Sequence, residues 1–333
     1  MREPGRKNEY KKQRSIRNAD EVQRARRWRM LRNGVASVAL FGAATSAFAW
    51  GDVGHEVVAK IADHYLTDQT RIAVNAILAT DTSGLTATDI ASEATWADKY
   101  RASHSNTSQW HYVDTEIATG DIDAACFGHP PLPLNTVASQ GPAQACVVDK
   151  IDQFVKELNA ADTSPSERLL ALQFILHFVG DEHQPLHSSD DNDSGGNSKH
   201  VSATGFKSGN LHSYWDTAFV TQLGTSADDI ASKLIQQITP ADVANWQTLT
   251  PRDWSLEAFG VAKQDAYGKL PQPNASGVYV LPSSYVSTAE ADVSLQLRRA
   301  GVRLASVLNQ ANLTAPKTQS KPAAALLVSP FGR

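Results

Sequence analysis

Sulfur is scarce in this chain: two cysteines and two methionines stand among 333 residues. With no histidine pattern built around them, Cys126 and Cys146 give poor support to a cysteine-based metal site. An even pair in an exported protein reads as a disulfide instead. Closing a loop of about 20 residues contributes roughly 3 kcal/mol in the chain-entropy model. Long apolar runs are also lacking. None approaches the roughly 18 consecutive apolar residues of a membrane span, so no span is expected. Strand-like alternation is rare, with residues 278–281 (Val-Tyr-Val-Leu) the best short candidate. No internal repeat is visible. Beyond residue 49, positive charge is in deficit.

The first 49 residues hold twelve Lys/Arg against four Asp/Glu, and the whole chain is −4, which leaves residues 50–333 at −12. A basic stretch ending at Arg32, a short apolar run from Val35 to Phe41 and then Ala47-Phe48-Ala49 follow in the order of a secretory signal peptide. Cleavage is expected between Ala49 and Trp50, with a periplasmic or secreted destination. Starting translation at Met30 gives a leader of ordinary length, so residues 1–29 read as an upstream extension or a misplaced start. The acidic mature region lacks the basic field that supplies non-specific duplex affinity.

What remains is mostly helical in pattern. Apolar residues recur at three- and four-residue intervals over 54–66, 70–79, 211–222, 227–238 and 286–309. Residues 167–183 are apolar nearly all round, the mark of a central helix buried on every side. Loops are expected at 117–143 and 188–210. Residues 314–333, rich in Pro, Lys, Ala and Ser, read as a disordered tail. The expectation is a single compact all-α domain over 50–313, with no second domain boundary.

Two HxxxD pairs, His177/Asp181 and His212/Asp216, put imidazole and carboxylate one helical turn apart on the same face. One such pair is equally what a structural His–Asp hydrogen bond looks like. Two pairs, with His187 six residues beyond Asp181, point toward metal binding, for which imidazole and carboxylate suit zinc. An ionised Asp181 inside an apolar helix must also meet a cation or a dense set of hydrogen bonds.

Seven segments, two of them holding these pairs, carry a family resemblance. Trp50-Gly51-Asp52-Val53-Gly54-His55, Ala94-Thr95-Trp96-Ala97-Asp98 and Trp110-His111-Tyr112-Val113-Asp114-Thr115 come first. His177-Phe178-Val179-Gly180-Asp181, Gln184-Pro185-Leu186-His187, Gly195-Gly196-Asn197 and Asn210-Leu211-His212-Ser213-Tyr214-Trp215-Asp216 follow in order. Together they resemble the zinc-dependent single-strand nucleases of the S-one/P-one type, also called 3′-nucleotidases, from Trp50 to about Asn312.

The resemblance implies the phospholipase C/P-one nuclease fold and three zinc ions (Zn2+). One is held by Asp98, His111, His177 and Asp181. A second takes His55, Asp181 as a bridge, and the α-amino group and carbonyl oxygen of Trp50. The third takes His187, His212 and Asp216. The Trp50 amine exists only after cleavage, so export itself completes the site. The implied substrates are single-stranded DNA and RNA and 3′-nucleotides, cut at P–O3′ to leave 5′-phosphates, with no protein partner. Asp98 also orients or deprotonates water, Arg101 and Asn197 contact the phosphate, and Tyr112 and Asp114 hold the base. Three of the last four have a plainer reading: Arg101 a surface charge, Asn197 a turn residue, Tyr112 core.

Two rivals differ in testable ways. A zinc-dependent phospholipase C has more residues between its N-terminal Trp and first His, and a Glu where Asp216 stands. A non-catalytic zinc-binding protein uses exposed His-rich tracts, whereas these residues are scattered and partly within an apolar helix. His64, His104, His129, His183 and His200 fall outside the pattern, and Asp190, Asp191 and Asp193 do not continue into a calcium loop.

Overall fold

The computed structural model describes residues 50–313. The signal peptide, its cleavage point and the C-terminal tail lie outside the described residues. Helices dominate: α1 (Asp52–Tyr65), α2 (Asp68–Leu78), α3 (Trp96–Arg101), α4 (Val147–Asn159), α5 (Pro165–Glu182), α6 (Ala227–Ile235), α7 (Pro251–Val261) and α8 (Ser283–Gln310), with shorter turns between them. The all-α expectation holds.

Helix α5 is the central element. Ser164 caps it by accepting from the Glu167 amide, and Pro165 occupies the first turn, where a missing N–H costs nothing. From Ala171 to Glu182 every residue is buried, as the all-round apolar pattern requires. α1, α2, α3, α4, α7 and α8 all pack on it. α1 and α8 form the most extensive helix pair, and α4 lies along α5. One hydrophobic cluster runs from Trp50 to Leu308, with Phe154 stacked on Phe174 at 4.6 Å between centroids.

Several boundaries differ from the sequence reading. Residues 211–222 are not one helix: a single α-turn at Leu211–Ser213 passes into a π-turn at Tyr214–Ala218 and a 3-10 turn at Val220–Gln222. Helix 227–238 stops at Ile235. The segment 188–210, expected as loop, holds β1 (His200–Ala203) and β2 (Gly209–Asn210). β1 pairs antiparallel with β2 and parallel with β3 (Tyr279–Leu281), the strand candidate of the sequence. These strands are too short for periodicity to reveal, and the Gly and Ser around them mask the pattern. α4 was legible but unassigned: Val147, Ile151, Phe154 and Leu158 recur at helical spacing and are buried.

Cys126 and Cys146 are disulfide-bonded, with Cα atoms 5.0 Å apart. The bond ties the loop ahead of α4 to the start of that helix. Replacing both cysteines by serine should lower unfolding free energy by about 3 kcal/mol, measured by urea titration of the zinc-loaded protein. An unchanged midpoint would mean that the loop is held without the bond.

Candidate metal centre

Side chains from separate elements converge on the C-terminal half of α5. His55 comes from α1, Asp98 from α3, His111 from a 3-10 turn (Ser105–His111), and His177 and Asp181 from α5 itself. His187 ends a further 3-10 turn at Pro185–His187, and His212 and Asp216 sit on the α- and π-turns. All eight are at least 95% buried. The extra residue in the π-turn still leaves His212 Nε2 only 3.2 Å from Asp216 Oδ2. π-turns of this kind often occur at functional sites.

Gly180 is required by closeness. A Cβ there would lie 2.8 Å from His55 Nδ1, so any larger residue would push His55 off α5. His55 instead stacks on His177, centroids 3.8 Å apart. Gly195 has φ of 58°, which an L side chain rarely adopts, and its carbonyl oxygen receives His212 Nδ1 at 2.6 Å.

Donor atoms fall into three groups, each with its atoms within 4.8 Å of one another: His55/Asp98/His177, His111/His177/Asp181 and His187/His212/Asp216. In the second, His111 Nδ1, His177 Nε2 and Asp181 Oδ2 form a triangle with edges of 3.0, 3.2 and 3.2 Å. Asp98 Oδ1 stands 3.7 Å from both nitrogens. Two donors about 2.0–2.1 Å from a tetrahedral zinc lie roughly 3.4 Å apart, so these edges match a coordination polyhedron. Asp181 reaches further with its other oxygen, 3.3 Å from His55 Nε2 and 3.8 Å from His187 Nδ1.

Unpaired atoms support the same fit. His55 Nε2 and Asp181 Oδ1 are buried without a hydrogen-bond partner. Three of the five rings have their outward nitrogen tied to a carbonyl: His177 Nδ1 to Ala94 O at 2.7 Å, His187 Nδ1 to His111 O at 2.9 Å and His212 Nδ1 to Gly195 O at 2.6 Å. Such bonds fix the tautomer and aim the other nitrogen inward. Gln184 Nε2 donates to Asp216 Oδ1. Donor type, spacing and outer hydrogen bonds all fit divalent cations.

Electrostatics point the same way. Burial holds His55, His111 and His187 well below the ordinary imidazole range and brings His212 down to about 4. It lifts Asp181 and Asp216 well above the carboxylate range and Asp98 to about 6. The carboxylates gathered here resist charge unless a cation lies among them, and the imidazoles are held neutral, the form that binds a metal.

Arg101, Tyr112, Asp114, His187, Asn197 and His212 line a cavity of about 270 Å³ over these donors. Arg101 Nη2 bonds Asp98 Oδ1 at 2.9 Å. Asn197 Nδ2 donates to Ser194 O, and Asn210 Nδ2 donates to Asn197 Oδ1. Tyr112 OH bonds Gln109. Burial, reinforced by Asp190, Glu116 and Asp193, pushes Asp114 up to about 7. Trp50 is fully buried beside Gly54, and the Gly51 amide donates to Asp216 O at 3.0 Å, which brings the first described residues to the centre. A cavity of about 730 Å³ near His129 and Glu167 touches none of these residues.

The cysteines need one correction. A histidine does stand beside them: Cys126, His129, Cys146 and Asp149 offer donors within 4.8 Å of one another. Both sulfurs are engaged in the disulfide, and His129 Nδ1 is bonded to Asp149 at 2.6 Å. Sequence reasoning also missed Gln184 as an orienting group, although its place in Gln184-Pro185-Leu186-His187 was visible.

The family model for S1/P1 nuclease matches residues 50–312. The chain belongs to the S1/P1 nuclease family. Among its relatives, Endonuclease 2 of Arabidopsis thaliana is 29% identical over 83% of this chain and 95% of its own length. Endonuclease 4 of the same plant is 31% identical, covering 81% and 92%. Nuclease P1 of Penicillium citrinum is 26% identical, covering 78% and 97%. Among the described residues no helix is long and apolar enough to cross a membrane.

Substituting Asp181→Asn separates a metal centre from a structural His–Asp network. In protein stripped by chelator the variant should melt higher than the wild type, because a buried charge has gone. In zinc-loaded protein it should melt lower and hold less metal. Lower melting temperatures in both states would instead identify Asp181 as a structural partner of the histidines.

Proposed function

We propose that the chain is an exported zinc-dependent endonuclease and 3′-nucleotidase that hydrolyses P–O3′ bonds of single-stranded DNA and RNA. The observation that carries this reading is the convergence of three His/Asp donor groups beneath a cavity lined by Arg101, Tyr112, Asp114 and Asn197. Three zinc ions are the proposed complement, with Asp181 shared and Trp50 contributing its amine and carbonyl oxygen. Bound zinc supplies Lewis acidity toward phosphate oxygens and makes water a competent nucleophile near neutral pH.

The chain's own residues do the rest. Arg101 and Asn197 hold the scissile phosphate, and a guanidinium suits its planar oxygen pair. Tyr112 stacks on a base, worth roughly 1–3 kcal/mol with little sequence preference. Asp114, with a carboxyl near 7, exchanges hydrogen bonds with the base edge. Asp98 orients the attacking water and takes its proton as a general base. Water adds to phosphorus in line, the P–O3′ bond breaks, the 3′-oxygen takes up a proton, and the phosphate stays on the 5′ side. A net −12 over residues 50–333 disfavours rigid duplex, whose binding rests on basic charge.

Purified zinc-loaded protein should release 5′-phosphorylated products from single-stranded DNA and RNA and phosphate from 3′-AMP. Preferential cleavage of phosphatidylcholine would favour the phospholipase relative, and full zinc occupancy without hydrolysis would favour a binding protein. A variant retaining one residue ahead of Trp50 should lose most activity. Full activity in that variant, with the extra residue verified by mass, would rule out the Trp50 chelate.

A further inference from the structure

The donor cluster is reached from two sides. The first opening is the cavity of Arg101, Tyr112, Asp114 and Asn197. A second cavity, about 380 Å³, is lined by Val53, Lys99, Thr217 and Val220 and reaches Asp98 and Asp216. The two share no lining residue. Asp98 faces the second while its Oδ1 receives Arg101 from the first at 2.9 Å. His212 lines the first and Asp216 the second, although their donor atoms are 3.2 Å apart. A phosphate seated over the donors therefore has a cavity on each flank.

A phosphodiester carries a nucleoside on both bridging oxygens. On the nuclease reading above, on which this inference rests, the nucleoside losing its P–O3′ bond has its base at Tyr112. The other nucleoside, attached through its 5′-oxygen, needs space across Asp98 and Asp216. The second cavity offers apolar contact from Val53, with Val220 buried behind it, a small polar wall at Thr217, and the Lys99–Asp52 ion pair. Lys99 is held by Thr95 Oγ1 and stands 3.6 Å from Asp52. No aromatic ring lines this cavity, so a base held there is not stacked as one is at Tyr112.

We propose that the cavity of Val53, Lys99, Thr217 and Val220 is the subsite for the nucleoside downstream of the scissile phosphate. It holds the 5′-phosphorylated half, with the base or sugar against the valines and Lys99 toward the next phosphate. A 3′-nucleotide fills only the first cavity, whereas a dinucleotide fills both. The subsite thus makes strand cleavage, as distinct from phosphate removal, the favoured reaction.

The test uses zinc-loaded wild type and Thr217→Trp, an exposed position where an indole blocks the cavity mouth. kcat/KM is measured on the dinucleotide of thymidine and on thymidine 3′-phosphate. The ratio of the two should fall by about tenfold or more in the variant, equivalent to one decade in transition-state stabilisation. Calorimetric binding of thymidine 5′-phosphate should weaken by a similar factor. In the wild type, a dinucleotide with an abasic downstream sugar should be cut about tenfold less efficiently than the intact one. An unchanged ratio together with equal cleavage of abasic and intact dinucleotides overturns the subsite while leaving the nuclease reading intact. Hydrolysis of neither substrate by wild type overturns both.

Discussion

An aspartate and a histidine set inside the most deeply buried helix constrain everything around them. Asp181 and His177 lie in a segment whose other residues, Phe174, Leu176, Phe178 and Val179, form the hydrophobic core. Removing an ionised carboxylate from water costs several kcal/mol. The cost is tolerable only if positive charge is brought to it from outside. Four other elements supply imidazoles and carboxylates around Asp181, yet among its immediate ion-pair neighbours all are histidines held neutral by burial. That imbalance is what makes a cation the natural centre, and it dictates where α1, α3 and the turns after α5 must dock.

The surrounding fold is organised to keep these groups still. Ala94, His111 and Gly195 each surrender a backbone carbonyl to a ring nitrogen. The requirement for bare backbone at Gly180 and for positive φ at Gly195 belongs to the same design. A second buried polar network begins two residues beyond Asp181, at the C-cap of α5. His183 accepts from Arg303 at 2.8 Å, and Arg303 also bonds Glu257 at 2.6 Å. It links α5 to α7 and α8, so the far ends of the chain are pinned next to the residues that carry chemistry.

Legibility from sequence followed length and chemistry. α5 was readable because eighteen helical residues with an apolar surface all round have one physical solution, burial. His177/Asp181 was readable as a pair through helical spacing alone. His212/Asp216 carries the same spacing but sits on a π-turn, a backbone choice that side-chain pattern does not encode. His55, Asp98 and His111 had no local signal; only the order of motifs connected them, since their proximity arises from how α1, α3 and the 105–111 turn pack on α5. The short strands at 200–203 and 209–210 escaped because two- and four-residue elements are defined by their partners, not by their own alternation. His129 beside the disulfide was missed although it stands only three positions after Cys126.

The hydrogen bond from His187 Nδ1 to the carbonyl oxygen of His111 joins two donor groups through one peptide unit. The His111 ring serves one group while its backbone aims a ligand of another. Ring and backbone of His111 cannot move independently, so a shift of either donor group carries the other with it, in the manner of a hinge that cannot turn one leaf alone.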